Sequence, residues 1–136
     1  MSAFDKKYFQ KFEFSPNQVN RYFQNAFRDL EIARKDNFPE VRFTYGYQAL
    51  IKAGIALLAK MGKVKVRSVP GHHVKILAKM SEILHDPDVN TIGNVMRTKR
   101  NADFYCGGET VTDKEADDYF QFVEQVLKQV QKRIDA

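Results

Sequence analysis

The chain reads as an all-α protein, a five-helix up-and-down bundle, on three observations. Five segments repeat apolar residues at spacings of three and four, prolines and glycines fall between those segments, and no two stretches alternate well enough to pair as strands. With 136 residues, 43% hydrophobic and 29% charged, the chain fits one domain spanning residues 1–136. A domain of this length buries a core without disulfides or a structural metal.

The first helix is expected from Pro16, with Ser15 as its N-cap and the proline in the first turn. Its stripe is Val19, Tyr22, Phe23, Ala26, Phe27, Leu30 and Ala33, and it ends near Asp36 or Asn37. Pro39 opens a second helix on Phe43, Tyr47, Leu50, Ala53, Leu57, Leu58 and Met61, stopped by Gly62. Tyr45, Ala49, Ile51 and Ile55 widen its apolar surface beyond one face, as in an element surrounded by others. The first two helices and the last are expected to form most of the core.

From Lys63 to Gly71, Val64, Val66 and Val69 alternate with basic residues, but no partner strand is evident and the segment reads as a loop. A third helix runs from about His72 to His85 on Ile76, Leu77, Met80, Ile83 and Leu84, broken by Asp86 and Pro87. The fourth runs from near Asp88 to about Phe104, before Gly107 and Gly108. Thr112 and Glu115 form a capping box for the last helix, whose stripe is Ala116, Tyr119, Phe120, Val123, Val126, Leu127, Val130 and Ile134. Residues 1–14 carry Phe4, Tyr8, Phe9, Phe12 and Phe14, which need cover from the bundle or from a partner.

Charge is unevenly distributed. The net value is +5, yet residues 41–81 hold eight basic side chains and no acidic one: Arg42, Lys52, Lys60, Lys63, Lys65, Arg67, Lys75 and Lys79. Such a field attracts polyanions such as RNA or an acidic protein surface, unless the acidic C-terminal third neutralises it. The single cysteine, Cys106, excludes an internal disulfide and a thiolate cluster. From Met1 to Glu13 there is no apolar run of signal-peptide length, and no stretch approaches the roughly 18 apolar residues of a membrane span. A cytoplasmic protein without a membrane partner is expected.

The fourth helix departs from a plain core pattern. Ile92, Val95, Met96 and Ala102 fall on one side, while Asn90, Asn94, Arg97, Asn101 and Tyr105 share an arc about 80° wide on the other, flanked by Arg100 and Phe104. Asparagine is a poor helix former, so three of them beside two arginines point to hydrogen bonding, either with neighbouring helices or with a bound anion. No P-loop, dinucleotide fingerprint, HExxH or CxxC occurs, and His72, His73, His85 and Cys106 have no recognised metal spacing, so no metal or cofactor is expected. A helix-turn-helix across the third and fourth helices is a weaker reading of the turn at Asp86 and Pro87.

The order of elements, the alanine- and leucine-rich second helix from Tyr47 to Lys60, the Arg-Thr-Lys-Arg-Asn-Ala-Asp-Phe-Tyr run at 97–105 and the long last helix resemble HEPN domains, the all-α "higher eukaryotes and prokaryotes nucleotide-binding" modules. In many members an arginine and a polar residue precede Ala-Asp-Tyr, and the sequence from Arg100 to Phe104 is similar to that. The resemblance implies a bundle that binds RNA or a nucleotide and forms a homodimer with the motif helices face to face. It also implies either a metal-independent ribonuclease of toxin or defence type, or a non-enzymatic module that partners a nucleotidyltransferase. In such ribonucleases an arginine is followed four to six residues later by histidine. Here Tyr105 stands at that distance from Arg100, with an ordinary pKa of about 10 that makes it a poor base. Five helical residues also turn it about 140° away, so Arg97, Asn101 and Tyr105 make the better intrahelical set. The polar ridge and the resemblance together assign Arg100, Tyr105 and Arg97 to catalysis, and Asn94, Arg97 and Asn101, with His72 and His73 of the basic loop, to the nucleotide or phosphate; the two histidines restore a titrating group if the fold brings them to the fourth helix.

Overall fold

The computed structural model describes residues 2–106 and 111–136, with backbone only for 103–106. In chain order the elements are β1 (Phe9–Lys11), α1 (Pro16–Lys35), α2 (Pro39–Leu57), β2 (Val64–Val66), α3 (His72–Leu84), α4 (Pro87–Cys106) and α5 (Asp113–Asp135). Five helices therefore carry the described chain, as the apolar periodicity predicts. None is long and apolar enough to cross a membrane among the described residues.

Local chemistry sets the helix boundaries. Ser15 Oγ accepts from Gln18 N at 3.2 Å while Ser15 N donates to Gln18 Oε1 at 2.8 Å, a reciprocal cap at the start of α1. Thr112 and Glu115 repeat this at α5, both bonds at 3.1 Å. Val19, Phe23, Ala26, Leu30 and Ala33 bury one face of α1. Phe27 does not join them and stays 42% exposed, because it lies about 90° round the helix from the middle of that face. The core lies where α2 runs between α1, α5 and α3, and α2 is buried on several sides, through Phe43, Tyr47, Leu50, Ile51, Ala53 and Leu57. Its continuation, Leu58–Gly62, is a π-helical turn closed by Lys63 in the left-handed region at φ 51°.

The expected loop after Gly62 needs correction. Val64–Val66 is a strand, paired antiparallel with Phe9–Lys11 in the register Phe9 to Val66, Gln10 to Lys65 and Lys11 to Val64. Its partner lies in the aromatic N-terminal segment, more than fifty residues away, so no hairpin turn marks the pair, and three residues are too few for alternation to stand out. The pairing carries Phe9 into the core, with Phe4 edge-on to it at 5.1 Å and Phe14 edge-on to Tyr22 at 5.4 Å. Phe4, Tyr8, Phe9 and Phe14 are thus covered at least in part by the bundle itself, while Phe12 stays 41% exposed. Lys79 of α3 fastens the start of this segment, donating to Ser2 O at 2.8 Å, Ser2 Oγ at 2.6 Å and Ala3 O at 3.0 Å.

The helix pair α3 and α4 packs closely because Gly93 lacks a side chain: a Cβ there would stand 2.6 Å from Leu77 Cδ2. This contact brings the N-terminal end of α3 alongside the C-terminal half of α4.

Candidate functional site

Between those two segments lies a cleft of about 550 Å³. One wall is Arg97, Arg100 and Asn101 of α4; the other is the Ser68–Gly71 backbone with His72, His73 and Val74 at the start of α3. Three of the five α4 site residues named from sequence, Arg97, Arg100 and Asn101, and both histidines therefore share one cavity. No carboxylate lines it among the described residues. Tyr105 lies in α4, but its side chain, like that of Cys106, is outside the described residues, as are Gly107 and Gly108 altogether.

The loop into α3 prepares the histidine wall. Val69 N donates to Arg67 O at 3.0 Å and His72 N to Val69 O at 3.1 Å, and Gly71, at φ 85°, turns the chain into the helix. No side chain caps α3, so its first-turn amides carry the positive end of the helix dipole beside the two arginines. His72 Nδ1 lies 2.7 Å from Val69 O, which only accepts, so this nitrogen carries the proton and Nε2 of the neutral ring keeps its lone pair. The rings of His72 and His73 meet edge to face at 4.3 Å.

His73 has a different partner. Its Nδ1 lies 2.8 Å from the hydroxyl of Tyr47, a side chain only 1% exposed. Burial pushes the Tyr47 hydroxyl up to about 12, against the pull of Arg100 and Arg97. Burial also pushes His73 down to about 4, helped by the neighbouring His72, Arg100 and Arg97. Tyr47 and His73 are thus a neutral hydrogen-bonded pair at physiological pH, forming a polar floor beneath positive charge. Sequence reading placed Tyr47 only in the apolar stripe of α2. The available signal was a hydroxyl at the centre of a buried helix, which requires a polar partner.

Among the described residues no carboxylate pairs with Arg97 or Arg100, and other groups hold them. Arg97 Nε donates to Asn94 Oδ1 at 3.1 Å, and Asn94 Nδ2 in turn donates to Asn90 O at 2.7 Å and Asn90 Oδ1 at 2.9 Å. Asn94 does not line the cleft; it orients the guanidinium that does. The Arg100 guanidinium stands 5.7 Å from the centre of the Tyr47 ring, a cation–π contact. Lys99 turns to the opposite side of α4 and pairs with Glu115 at 3.3 Å. Val95, expected on the buried side, is 51% exposed, between Ile92 and the α5 residues Tyr119 and Phe122. Among the described residues no group of three His, Cys, Asp or Glu side chains is arranged to hold a metal ion.

Chemically, the cleft offers two guanidinium groups, helix N-terminal amides and an imidazole with an available lone pair, a set suited to an oxyanion such as phosphate. Fold and site together define a helical domain with an arginine–histidine cleft. Comparison with protein-family models, curated proteins and solved structures finds no match.

Proposed function

We propose that the cleft binds a phosphate of RNA or of a nucleotide, and that the domain is a HEPN-like, metal-independent ribonuclease. The observation that carries this reading is the convergence of Arg97, Arg100 and Asn101 with His72 and His73 on one cavity that no carboxylate lines among the described residues. Histidine supplied from α3 takes the place of the histidine that the fourth helix lacks. In the reaction the 2′-hydroxyl attacks its own phosphorus as the bond to the 5′-oxygen breaks, leaving a 2′,3′-cyclic phosphate and a 5′-hydroxyl. His72 Nε2 accepts the 2′-hydroxyl proton, water protonates the departing 5′-oxygen and is restored by the proton that His72 then releases, and the arginines stabilise the charge on the phosphorane oxygens. His73, held neutral against Tyr47, positions the site and does not carry the proton.

The test is cleavage of single-stranded RNA in the presence of a chelator, with products analysed for the cyclic phosphate. Removing one such charge-stabilising group is expected to cost about 10²-fold or more in Arg100→Ala, and loss of the imidazole about 10²-fold in His72→Ala. Unchanged cleavage in Arg100→Ala removes the role given to that arginine.

A second reading, a non-enzymatic interaction module that forms a homodimer or partners a nucleotidyltransferase in the cytoplasm, draws on the exposed Val95 and the half-buried Ile92, Tyr119 and Phe122 around it. It predicts association that persists in high salt and no RNA turnover.

A further inference from the structure

The eight basic residues of the middle third do not share one fate. Four find carboxylates elsewhere in the chain: Arg42 with Asp117 at 2.6 Å, Lys52 with Asp29 at 2.7 Å, Lys79 with Glu82 at 3.5 Å and Lys63 with Glu13 at 3.8 Å. Of the other four, Lys65, Arg67 and Lys75 lie together on the β1–β2 ribbon and the first turn of α3, with no carboxylate within 4 Å among the described residues. The N-terminal segment adds Lys6, Lys7 and Lys11, all exposed, to the same ribbon; the register puts Lys65, opposite Gln10, on one face and Lys11, opposite Val64, on the other.

These charges form a track that leads to the cleft. Lys6, Lys11 and Arg67 line a groove of about 580 Å³ along the ribbon, and the residue after Arg67, Ser68, already lines the cleft. Arg67 is fixed at the junction, its N donating to Tyr8 O at 2.7 Å and its Nε to Lys6 O at 3.2 Å. Tyr8 reaches the cleft loop, its hydroxyl 3.6 Å from the place where a side chain would begin on Gly71. The ammonium groups of Lys7 and Lys75 stand 5.4 and 5.3 Å from the centre of its ring.

We infer that the ribbon is an extended binding surface for the continuation of a single RNA strand whose phosphate occupies the cleft, so that the ligand is an oligonucleotide and not a mononucleotide. The inference rests on the phosphate reading of the cleft. Its support is charge complementarity: cations with no carboxylate within 4 Å among the described residues, along one ribbon that leads into the cleft loop, match a chain of phosphates.

The experiment compares binding of a 2′-O-methyl uridine dinucleotide with that of a 2′-O-methyl oligouridylate of about ten nucleotides, neither of which can be cut by 2′-hydroxyl attack. The longer strand is expected to bind at least about tenfold tighter, with a steeper dependence on salt. The triple variant Lys6→Gln, Lys11→Gln, Lys65→Gln should lose about tenfold or more on the longer strand and reduce its log–log salt slope by about 2, at about 0.7 per phosphate contact. Dinucleotide binding and the unfolding midpoint should stay at their wild-type values. A control that removes the same charge at Lys35, Lys128 and Lys132 should change affinity by less than about twofold. Equal affinity for the two lengths, an unaffected triple variant, or an equal loss in the control overturns the inference and leaves the cleft reading standing. Failure of the dinucleotide to bind removes the cleft reading and this inference with it. Capture of an acidic peptide by the ribbon in preference to the oligonucleotide also overturns it.

Discussion

The two ends of α3 treat positive charge in opposite ways. Near its C-terminal end the Lys79 ammonium is buried and donates to three oxygens of Ser2 and Ala3, with Glu82 at 3.5 Å. Glu82 also accepts from the backbone N and hydroxyl of Ser2, and the nearby Asp86 accepts from Asp88 N and Gln129 Nε2. At the N-terminal end Arg97 and Arg100 face a comparable hollow that no carboxylate lines among the described residues. Charge matched inside the chain is structural, since removing it leaves partners unsatisfied; charge held in place by amides and an aromatic ring has its counter-ion still to find. That difference, more than cavity size, locates the candidate site, because the hollow at the C-terminal end of α3 is nearly as large at about 510 Å³.

The comparison breaks first, and by the largest amount, on pH. An unfolded histidine takes up its proton near pH 6.5, whereas folded His73, facing Tyr47, His72, Arg97 and Arg100, stays neutral down to about 4. Between those values the unfolded chain binds more protons, so stability must fall as pH falls, by about 3 kcal/mol across the window. Glu82 and Glu115, held below the ordinary carboxyl value first by hydrogen bonds from the Ser2 and Thr112 backbones, add acid loss only below 4.5. Urea unfolding from pH 7 to 4.5 checks this. His73→Gln, which keeps a polar partner for Tyr47, should flatten the dependence; an unchanged slope in that variant means that the polar floor is not where acid acts.

Next in size is the charge at the other end. Lys79→Ala removes three hydrogen bonds and the packing of a buried stem, for a loss of about 2 kcal/mol. Arg100→Ala gives up, among the described residues, one aromatic contact and should cost under about 1 kcal/mol. Thermal or urea unfolding of the pair decides it. Equal losses would make both arginine and lysine structural and remove the contrast between the two ends.

What was legible in the sequence divides by range. The caps at Ser15–Gln18 and Thr112–Glu115 were readable because each is complete within four residues, and the helices because their apolar faces repeat locally. The strand pair was not, since Phe9 and Val66 meet only after the bundle has formed. Within the site, Arg97, Arg100 and Asn101 could be grouped from helical geometry. Whether His72 and His73 reached them depended on the Leu77–Gly93 contact between two helices, which no spacing encodes. Asn94 was grouped with them by the same geometry, but its amide is spent on Asn90 and Arg97 within its own helix. Tyr47 was hidden for another reason: at the sequence level a buried tyrosine in an aliphatic stripe differs from a phenylalanine by one atom.

That atom supports the smallest and most specific prediction. In the neutral pair either Tyr47 donates to Nδ1 of His73, leaving the imidazole proton on Nε2, or the proton sits on Nδ1 and the hydroxyl accepts. The neighbouring guanidinium charges of Arg97 and Arg100 disfavour extra positive charge on the ring in both cases, so the bond does not need an ionised partner. Tyr47→Phe preserves the ring beneath Arg100 and deletes only the hydroxyl. It should cost about 1 kcal/mol of stability, as one side of a partly buried hydrogen bond is lost. It should also change the nitrogen chemical shifts of His73, which report the tautomer, while those of His72, fixed by Val69 O, stay as they are. A variant that loses stability but keeps the His73 shifts would make Tyr47 a packing residue, and a shift confined to His72 would reverse the roles given to the two imidazoles.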